Sequence, residues 1–404
     1  MRLELKKEFI ERLKSELSNE YFQMYIDAMD KSPKHGMTVN LHKLYKSNID
    51  LDWLIRRFKG ELIYKNNNFA YICYDKDELS MCGIFPGKDP LYHAGLYYIQ
   101  EPTASKVLYD VDIDPNDFVL DLCASPGGKS AEILFSLKNS DGGFLVSNDI
   151  DFERAKVLSS NIERLGFDNV AITCSDSKKL ADRFTNYFDK VIVDAPCSGE
   201  GMFRKSIEAR QQWSLKLVQS MSMIQKRLVD DAYIMLKDSG KLIYSTCTFS
   251  LEEDEKVVDY LLDKYKDLKV CKIEKNYPFN SIGEGQFYAI LQKGEELVKH
   301  EKNDFNVTLL SNVPTLRIGI EHFEEKKGIK LPTHASTHIE SIHFDNVIEL
   351  DDYDIMKYLK GESLRIKLDT NGYYKVTYKG LGIGLAKYNS GMLKNHYPKG
   401  LRNV

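Results

Sequence analysis

Strand-like and helix-like patterns alternate through the middle of this chain. Seven apolar runs have the pattern of buried strands: Phe118–Ala124, Phe144–Asp149, Val170–Ser175, Lys190–Asp194, Lys241–Cys247, Leu268–Ile273 and Gln286–Leu291. Helical patterns separate the first six: Lys129–Leu137, Phe152–Leu165, Ser177–Phe184, Leu215–Lys237 and Leu251–Tyr265. Because such alternation is typical of a parallel sheet covered by helices on both faces, we predict an α/β fold built on a seven-stranded, mostly parallel, Rossmann-like sheet.

Two local features refine this prediction. Lys275–Gly285 contains Pro278 and two glycines, so no helix is expected before the seventh run, which is predicted to be an antiparallel strand at the sheet edge. Ser250-Leu251-Glu252-Glu253 has the spacing of a capping box, which predicts that the last helix begins there.

The flanking segments differ in pattern from the middle, and we predict three domains: residues 1–95, 96–295 and 301–404. In the first, Glu4–Leu17 and Tyr21–Met29 have helical patterns, and two Tyr-bearing runs around Asn66–Asn68 predict a hairpin. This indicates a small α+β domain. The last domain shows short alternating strands and a helix near Tyr353–Leu359, which indicates a β-rich module.

Composition excludes several classes of protein. Hydrophobic residues make up 43% and charged residues 29% of the 404 residues, which is typical of a folded chain and not of a disordered one. No apolar run approaches the ~18 residues of a membrane span, and the N-terminus lacks a signal-peptide core, so we expect a cytoplasmic protein without membrane contact. The seven cysteines contain no Cys-x-x-Cys pair, which argues against a disulfide framework and against a metal site.

A glycine-bearing turn and a series of acids mark the carboxyl ends of the predicted strands. The turn follows Asp121 and comprises Cys123, Ala124, Ser125, Pro126, Gly127, Gly128 and Lys129. It lacks the nicotinamide fingerprint Gly-x-Gly-x-x-Gly, and alone it is compatible with an ordinary strand-to-helix turn. Asp149, Asp176 and Asp194 end the following strands, at the edge where open α/β sheets bind ligands. S-adenosylmethionine needs acids to bind its ribose and amino groups and apolar walls to hold its adenine. This pattern therefore favours S-adenosylmethionine as the cofactor.

Cys197 and Cys247 follow two predicted strands, in Asp194-Ala195-Pro196-Cys197-Ser198-Gly199 and Ser245-Thr246-Cys247-Thr248. Free cysteines are often buried as small apolar residues, and this remains an alternative for each. The polar and irregular neighbours favour exposure at a ligand crevice. A thiolate that adds to C6 of cytosine makes C5 nucleophilic enough to take a methyl group, and a second thiol can assist release.

These motifs resemble those of the RNA cytosine-5 methyltransferases of the nucleolar-protein/Sun family, over about residues 90–293. Gly95–Pro102 is similar to the family segment that precedes the catalytic domain, and Glu200–Lys205 with Trp213 resembles the branch that contains small-subunit ribosomal RNA methyltransferase F. The resemblance implies that Cys247 is the nucleophile and Cys197 its partner in release. It also implies that Cys123–Lys129, Asp149, Asp176 and Asp194 hold the cofactor, with Asp194 contacting the cytosine as well. The expected product is cytosine methylated at C5 in structured RNA, with 16S ribosomal RNA, free or in the small ribosomal subunit, as the substrate. Residues 1–95 are then expected to guide the RNA.

The C-terminal segment is basic. From Thr370 to Val404 there is no Asp or Glu, although the whole chain carries a net charge of −4. Tyrosines alternate with Lys375, Lys379, Lys387 and Lys394, as in surfaces that contact RNA, although lysines on a solvated face are the simpler alternative. The segment resembles the end of a PUA-like RNA-binding domain. Arg204 and Lys205 are further candidates for RNA contact, and a monomer is expected.

Two other functions fit parts of the pattern. An amino-group methyltransferase uses the same fold, but it needs no thiols and typically has an Asn/Asp-Pro-Pro-Tyr-like segment in place of Asp194–Cys197. A non-catalytic RNA-binding or ribosome-assembly factor can also retain the fold. The presence of both cysteines argues against the latter.

Overall fold

The computed structural model of the protein describes residues 5–137, 142–295, 304–326, 328–339 and 341–402. Glu4, the first residue of a predicted helix, lies outside this part of the chain, and so do residues 296–303, which include the first three residues of the third predicted domain. In the part that the structure describes, no helix is both long and apolar enough to cross a membrane.

The N-terminal region is a four-stranded antiparallel sheet with short helices. The predicted hairpin is present and forms the first two strands of the sheet order β2-β3-β1-β4. The strand after residue 95 also joins this sheet. The elements are α1 (Lys7–Glu16), α2 (Asn19–Met29), β1 (His35–Asn40), α3 (Leu41–Leu44), α4 (Leu51–Arg57), β2 (Glu61–Lys65), β3 (Phe69–Tyr74), α5 (Lys76–Met81), α6 (Pro90–His93) and β4 (Tyr97–Gln100).

The central region confirms the predicted α/β fold. Its sheet has the order β10-β11-β9-β8-β5-β6-β7-β12, and the strands from β9 to β7 are parallel. The elements are α7 (Pro102–Tyr109), β5 (Phe118–Asp121), α8 (Gly128–Ser136), β6 (Phe144–Asn148), α9 (Phe152–Leu165), β7 (Val170–Thr173), α10 (Ser177–Ala181), β8 (Phe188–Asp194), α11 (Ile207–Gln212), α12 (Leu215–Met235), β9 (Leu236–Thr246), α13 (Glu255–Lys264), β10 (Leu268–Asn276) and β11 (Gln286–Lys293).

Three details of the prediction are wrong. The antiparallel strand β11 lies between β9 and β10 and not at the edge. An eighth strand, β12 (Thr315–Ile318), pairs with β7 although the sequence pattern grouped it with the C-terminal module. The capping box does not form, because α13 begins only at Glu255 and Ser250 instead hydrogen-bonds the Glu252 carboxylate.

The C-terminal region contains a small hairpin and a five-stranded sheet of order β15-β17-β18-β19-β16. Its elements are β13 (Phe323–Lys326), β14 (Ile329–Pro332), β15 (Val347–Glu349), α14 (Asp352–Leu359), β16 (Leu364–Arg365), β17 (Gly372–Tyr378), β18 (Leu381–Asn389) and β19 (Met392–Asn395). This confirms the β-rich module with its single predicted helix.

The two terminal regions pack on each other. Buried apolar side chains of the N-terminal sheet, such as Met37, and of the C-terminal sheet, such as Val376, form one continuous core. Helices α1 and α2 leave that core and pack instead on the central region, where Phe9 contacts Trp213 and Tyr25 contacts Phe249 edge-to-face. The N-terminal helices therefore lie directly behind the segment that follows Cys247.

Candidate active site at the carboxyl edge of the parallel strands

A cavity of about 310 Å³ opens at the carboxyl ends of β5–β9. The parallel strands are buried on both faces, so the side chains that follow their last residues converge at this edge. The cavity is lined by Leu122, Cys123, Ser125, Asn148, Asp149, Ile150, Arg154, Ser175, Asp176, Ser177, Asp194, Ala195, Pro196, Cys197, Ile224, Arg227, Leu228 and Cys247. Carboxylates, apolar walls and both candidate thiols thus share one cavity.

Only part of the turn predicted to bind the cofactor lines the cavity. Cys123 and Ser125 line the cavity, whereas Ala124, Pro126, Gly127, Gly128 and Lys129 do not. Gly127 has a left-handed backbone with φ +112°, which disfavours any side chain there. A Cβ on Gly128 would lie 3.0 Å from the Gln100 side chain. These glycines therefore serve the sharp turn into α8 and its contact with the N-terminal sheet.

Asp149 and Asp176 present carboxylates to the cavity from β6 and β7. Asp149 follows the end of β6, is almost wholly buried, and faces Arg154 Nη2 at 3.2 Å. One of its oxygens also accepts the Asp151 N–H at 3.0 Å. Asp176 caps α10 and lies 3.6 Å from Arg227 of α12. Both carboxylates are thus held in place by protein donors while lining the cavity.

Asp194 lies at the end of β8 and is held by two elements. Its Oδ2 pairs with Lys129 Nζ at 2.8 Å, and its Oδ1 accepts the Ser245 hydroxyl at 2.7 Å. The Lys129 side chain is only 5% exposed. Burial opposes its charge, but the Asp194 carboxylate outweighs that effect and raises the Lys129 pKa. Lys129 does not line the cavity itself and contributes to the site by orienting the Asp194 carboxylate.

The two cysteine sulfurs are in contact. Cys197 Sγ lies 3.3 Å from Cys247 Sγ, within the range of a hydrogen bond between thiols. Two hydrogen bonds also join the loops that carry the cysteines. Gly201 N donates to Cys247 O at 2.9 Å, and the Ser198 and Thr248 hydroxyls are 2.9 Å apart. The alternative that these thiols only fill the core is not supported, since both line the cavity.

The surroundings of Cys197 keep its thiol protonated. The hydrogen bond with Cys247 and burial together raise the Cys197 pKa well above the ordinary value of a thiol. Cys197 therefore keeps its proton at neutral pH, and its S–H is available to donate to the Cys247 sulfur. The contact therefore places an S–H donor beside the Cys247 sulfur.

The candidate RNA-binding residues near the cavity are engaged elsewhere. The Arg204 side chain is 6% exposed, pairs with Glu284 at 2.7 Å, and donates to the backbone oxygens of Ala28 and Gly283. Lys205 donates to Lys34 O at 3.1 Å and lies 3.7 Å from Glu284. The structure thus assigns Arg204 to docking α2 on the central region, which argues against the predicted RNA contact.

Three of the four C-terminal lysines share a sheet face. Lys387 of β18 lies directly opposite both Tyr373 of β17 and Lys394 of β19, and Lys375 is two residues from Tyr373 on the same face. Lys387 and Lys394 are exposed. Lys379 is different, because it lies in the β17–β18 turn and pairs with Asp352 at 3.1 Å. We call Lys375, Lys387 and Lys394 the lysine face.

Sequence reasoning missed several cavity residues. Ile150, Ile224 and Leu228 supply apolar walls, and Arg227 supplies a cation beside Asp176. The one available signal was Ile150, an apolar residue directly after a strand-end acid, which is 64% exposed in the structure. The α12 residues gave no signal, because their helix is far along the chain from the strand ends.

A second cavity, of about 350 Å³, lies between the N-terminal sheet and the helices α8 and α9. Its described lining includes Lys43, Lys46 and Phe135 but no carboxylate and no thiol. It therefore lacks the donor set of the candidate site and shares no lining residue with it.

Comparisons with known proteins agree with this arrangement. Residues 109–304 match the family described as 16S rRNA methyltransferase RsmB/F. Residues 5–102 match the N-terminal domain of 16S rRNA methyltransferase RsmF, and residues 345–403 match the methyltransferase RsmF PUA domain.

Individual relatives and solved structures give the same result. The ribosomal RNA small subunit methyltransferase F of Shewanella piezotolerans is 30% identical over 76% of this chain and 79% of its own length. That of Shewanella oneidensis is 29% identical over 82% and 83%. A methyltransferase homolog from Pyrococcus horikoshii is 25% identical with a TM-score of 0.59, covering 72% of this chain and 96% of its own. The crystal structure of NSun6 from Pyrococcus horikoshii with SFG is 20% identical with a TM-score of 0.58. It covers 72% of this chain and 99% of its own. The chain therefore belongs to the RsmB/F family of 16S rRNA methyltransferases and has the N-terminal and PUA domains of its RsmF members.

Proposed function

We propose that this chain methylates C5 of a cytosine in 16S ribosomal RNA, with S-adenosylmethionine as methyl donor and a covalent bond from Cys247 to C6 of the base. The contact of 3.3 Å between the sulfurs of Cys197 and Cys247, in the cavity that also contains the strand-end carboxylates, carries this proposal. Methylation of an exocyclic amine needs no thiol, whereas C5 methylation uses one thiolate to activate the ring and a second group to remove a proton.

The residues of the cavity fit the cofactor. Asp149 and Asp176 offer acceptors for ribose and amino groups, and Ile150, Ile224 and Leu228 offer apolar surface for the adenine ring. When bound there, S-adenosylmethionine supplies an electrophilic methyl group. The cytosine must leave its stack to reach the thiols, because C6 is attacked from above the ring. Lys129 and Ser245 hold Asp194, and in this proposal Asp194 contacts the base beside the two thiols.

The two cysteines act in sequence. The Cys247 thiolate adds to C6, and the electron pair of the former C5–C6 double bond makes C5 nucleophilic toward the methyl group. The Cys197 thiol loses its proton to solvent, and the resulting thiolate then takes the C5 proton. The C5–H electron pair re-forms the double bond, and the C6–S pair returns to Cys247 as the leaving thiolate. Alkylation of Cys247 favours this ionisation, because a thioether carries no charge that opposes the Cys197 thiolate.

Single cysteine variants test these roles. Cys247→Ala is expected to abolish methylation and adduct formation. Cys197→Ala is expected to allow attack but to block release, which leaves a protein–RNA adduct that survives denaturing gels. Cys271→Ser is the matched control, since Cys271 is exposed on the edge strand β10. Substantial turnover by Cys247→Ala, or an adduct formed by it, would contradict the assignment.

A deletion strain tests the substrate. Bisulfite sequencing of its 16S ribosomal RNA should show a cytosine that is unmethylated in the deletion and methylated after complementation. Restored growth or subunit assembly by Cys247→Ala without any change in methylation would instead identify a non-catalytic assembly factor. The proposal places the reaction in the cytoplasm, with a monomer acting on RNA that also contacts the lysine face.

A further inference from the structure

Two buried side chains hold the loop that carries Cys197. Gln225 of α12 donates its Nε2 to Pro196 O at 2.9 Å, directly before the cysteine. Glu253, just before α13, accepts the Ser198 N–H with its Oε2 at 2.9 Å, directly after the cysteine. The same Glu253 oxygen accepts the Gln225 amide at 3.0 Å. The peptide groups on both sides of Cys197 are therefore tied to one carboxylate.

A carboxylate is an unusual choice for a group that only holds a buried loop in place by hydrogen bonds. Its side chain is fully buried, and its second oxygen, Oε1, is buried without a hydrogen-bond partner. In the described part of the chain no lysine, arginine or histidine lies within salt-bridge distance of it. Burial raises its pKa to about 7. A glutamine would make the same bonds without this cost, so the charge itself requires an explanation.

The charge acts on Cys197. The Glu253 carboxylate opposes ionisation of the Cys197 thiol and adds to the effects of Cys247 and burial. The other ionisable groups packed here are Tyr244, which burial keeps protonated, and Glu200. Glu200 is bound by the Trp213 indole N–H at 2.8 Å and the Phe249 N–H at 3.1 Å. Glu253 is thus the carboxylate that directly bonds the Cys197 loop.

We propose that Glu253 is a positioning residue for Cys197 in the release step: it fixes the loop through Ser198 and Gln225, and its negative charge makes the Cys197 thiolate a stronger base toward the C5 proton. This inference rests on the proposed function, in which Cys197 removes that proton. It assigns no contact between Glu253 and substrate or cofactor.

Glu253→Gln separates the charge from the contacts. Its amide oxygen still accepts the Ser198 N–H, but the charge is gone. In the adduct, burial and the Glu253 charge still raise the Cys197 pKa, so Glu253 is charged at the pH at which the Cys197 thiolate required for release forms. We expect the acid limb of the release rate to move to lower pH. The plateau should fall roughly threefold to tenfold, as a thiolate of lower pKa is a weaker base.

The experiment follows methyl incorporation and adduct decay separately, in single turnovers of the full-length enzyme with 16S ribosomal RNA from the deletion strain. Glu253→Gln should incorporate the methyl group at nearly the wild-type rate and release product with the shifted profile. Glu252→Gln is the matched control, because this neighbouring carboxylate pairs with Arg12 of α1 instead. Gln225→Met removes contacts without removing the charge, so it should slow release without moving the acid limb. It also serves as the second variant if Glu253→Gln does not fold.

The outcomes separate this inference from the proposed function. A release profile of Glu253→Gln that superimposes on the wild-type profile overturns the inference, and so does an equal shift in Glu252→Gln. In either case, an adduct trapped by Cys197→Ala still supports C5 methylation. Absence of that adduct, together with unmethylated C5 in bisulfite sequencing, overturns the proposed function itself.

Discussion

Glu132 of α8 provides a quantitative test of the electrostatics of this fold. Its carboxylate is fully buried between α8, α7 and the N-terminal sheet, where it accepts the hydroxyls of Thr38, at 2.7 Å, and of Ser105. Its other oxygen, Oε2, is buried without a partner. In the described residues no cation lies within salt-bridge distance of it. Burial raises its pKa from 4.5 to about 8.

The direction of the pH effect follows from this shift. Between pH 4.5 and 8 the folded state holds a proton on Glu132 that the unfolded chain has released, so the free energy of unfolding falls as pH rises. One pKa unit corresponds to about 1.4 kcal/mol, so the full loss is roughly 4–5 kcal/mol. Glu132→Gln keeps an acceptor for both hydroxyls and removes the titration. It should equal the wild type near pH 5 and exceed it by roughly 3–5 kcal/mol at pH 9.

Urea unfolding of both proteins from pH 5 to pH 9 measures this difference. Glu153→Gln is the control, because that side chain is 77% exposed and pairs with Lys156 on the surface of α9. Comparing variant with wild type at each pH cancels the titration of the other buried acids. A difference between Glu132→Gln and wild type that stays constant over this range would falsify the assignment of a proton to Glu132 in the folded state.

Two further predictions concern ligands. Asp149→Ala should weaken S-adenosylmethionine binding by roughly 1–3 kcal/mol in calorimetry while RNA affinity is unchanged, because it leaves polar groups of the cofactor unpaired; unaltered cofactor binding would exclude this placement. Replacing Lys375, Lys387 and Lys394 together by Gln should flatten the salt dependence of RNA binding by up to ~0.7–0.9 log units per lost phosphate contact. Lys379→Gln, whose lysine is already paired with Asp352, should change the slope less, and an unaltered slope in the triple variant means that the lysine face is only solvated.

The sequence predicted the central sheet well because its signals are local. Each parallel strand is a short apolar run bounded by turn residues, and the predicted ends of β5–β9 lie within a few residues of the observed ones. Chirality and connectivity then bring the strand ends to one edge. These local signals are sufficient to predict that Asp149, Asp176, Asp194 and both cysteines lie together at one edge of the sheet, where the structure has one cavity.

The errors have a common physical cause, which is contact between distant segments. Ser250 has the spacing of a helix cap, but its hydroxyl bonds Glu252, and Arg12 of α1 reaches both of these side chains, so α13 starts later. Arg204 has the surroundings of a surface cation, but Glu284 lies beside it from eighty positions further along the chain. No local pattern contains such partners.

The same limit applies to the residues that tune the site. Cys197 and Cys247 are identifiable from sequence because each lies in a motif at a strand end, but the difference between them depends on what surrounds them. That difference comes from the contact between the sulfurs and from Glu253, whose position depends on the packing of α12 and α13 against the Cys197 loop. Sequence reasoning therefore places the reacting atoms, whereas the protonation of Cys197 can be argued only from the folded structure.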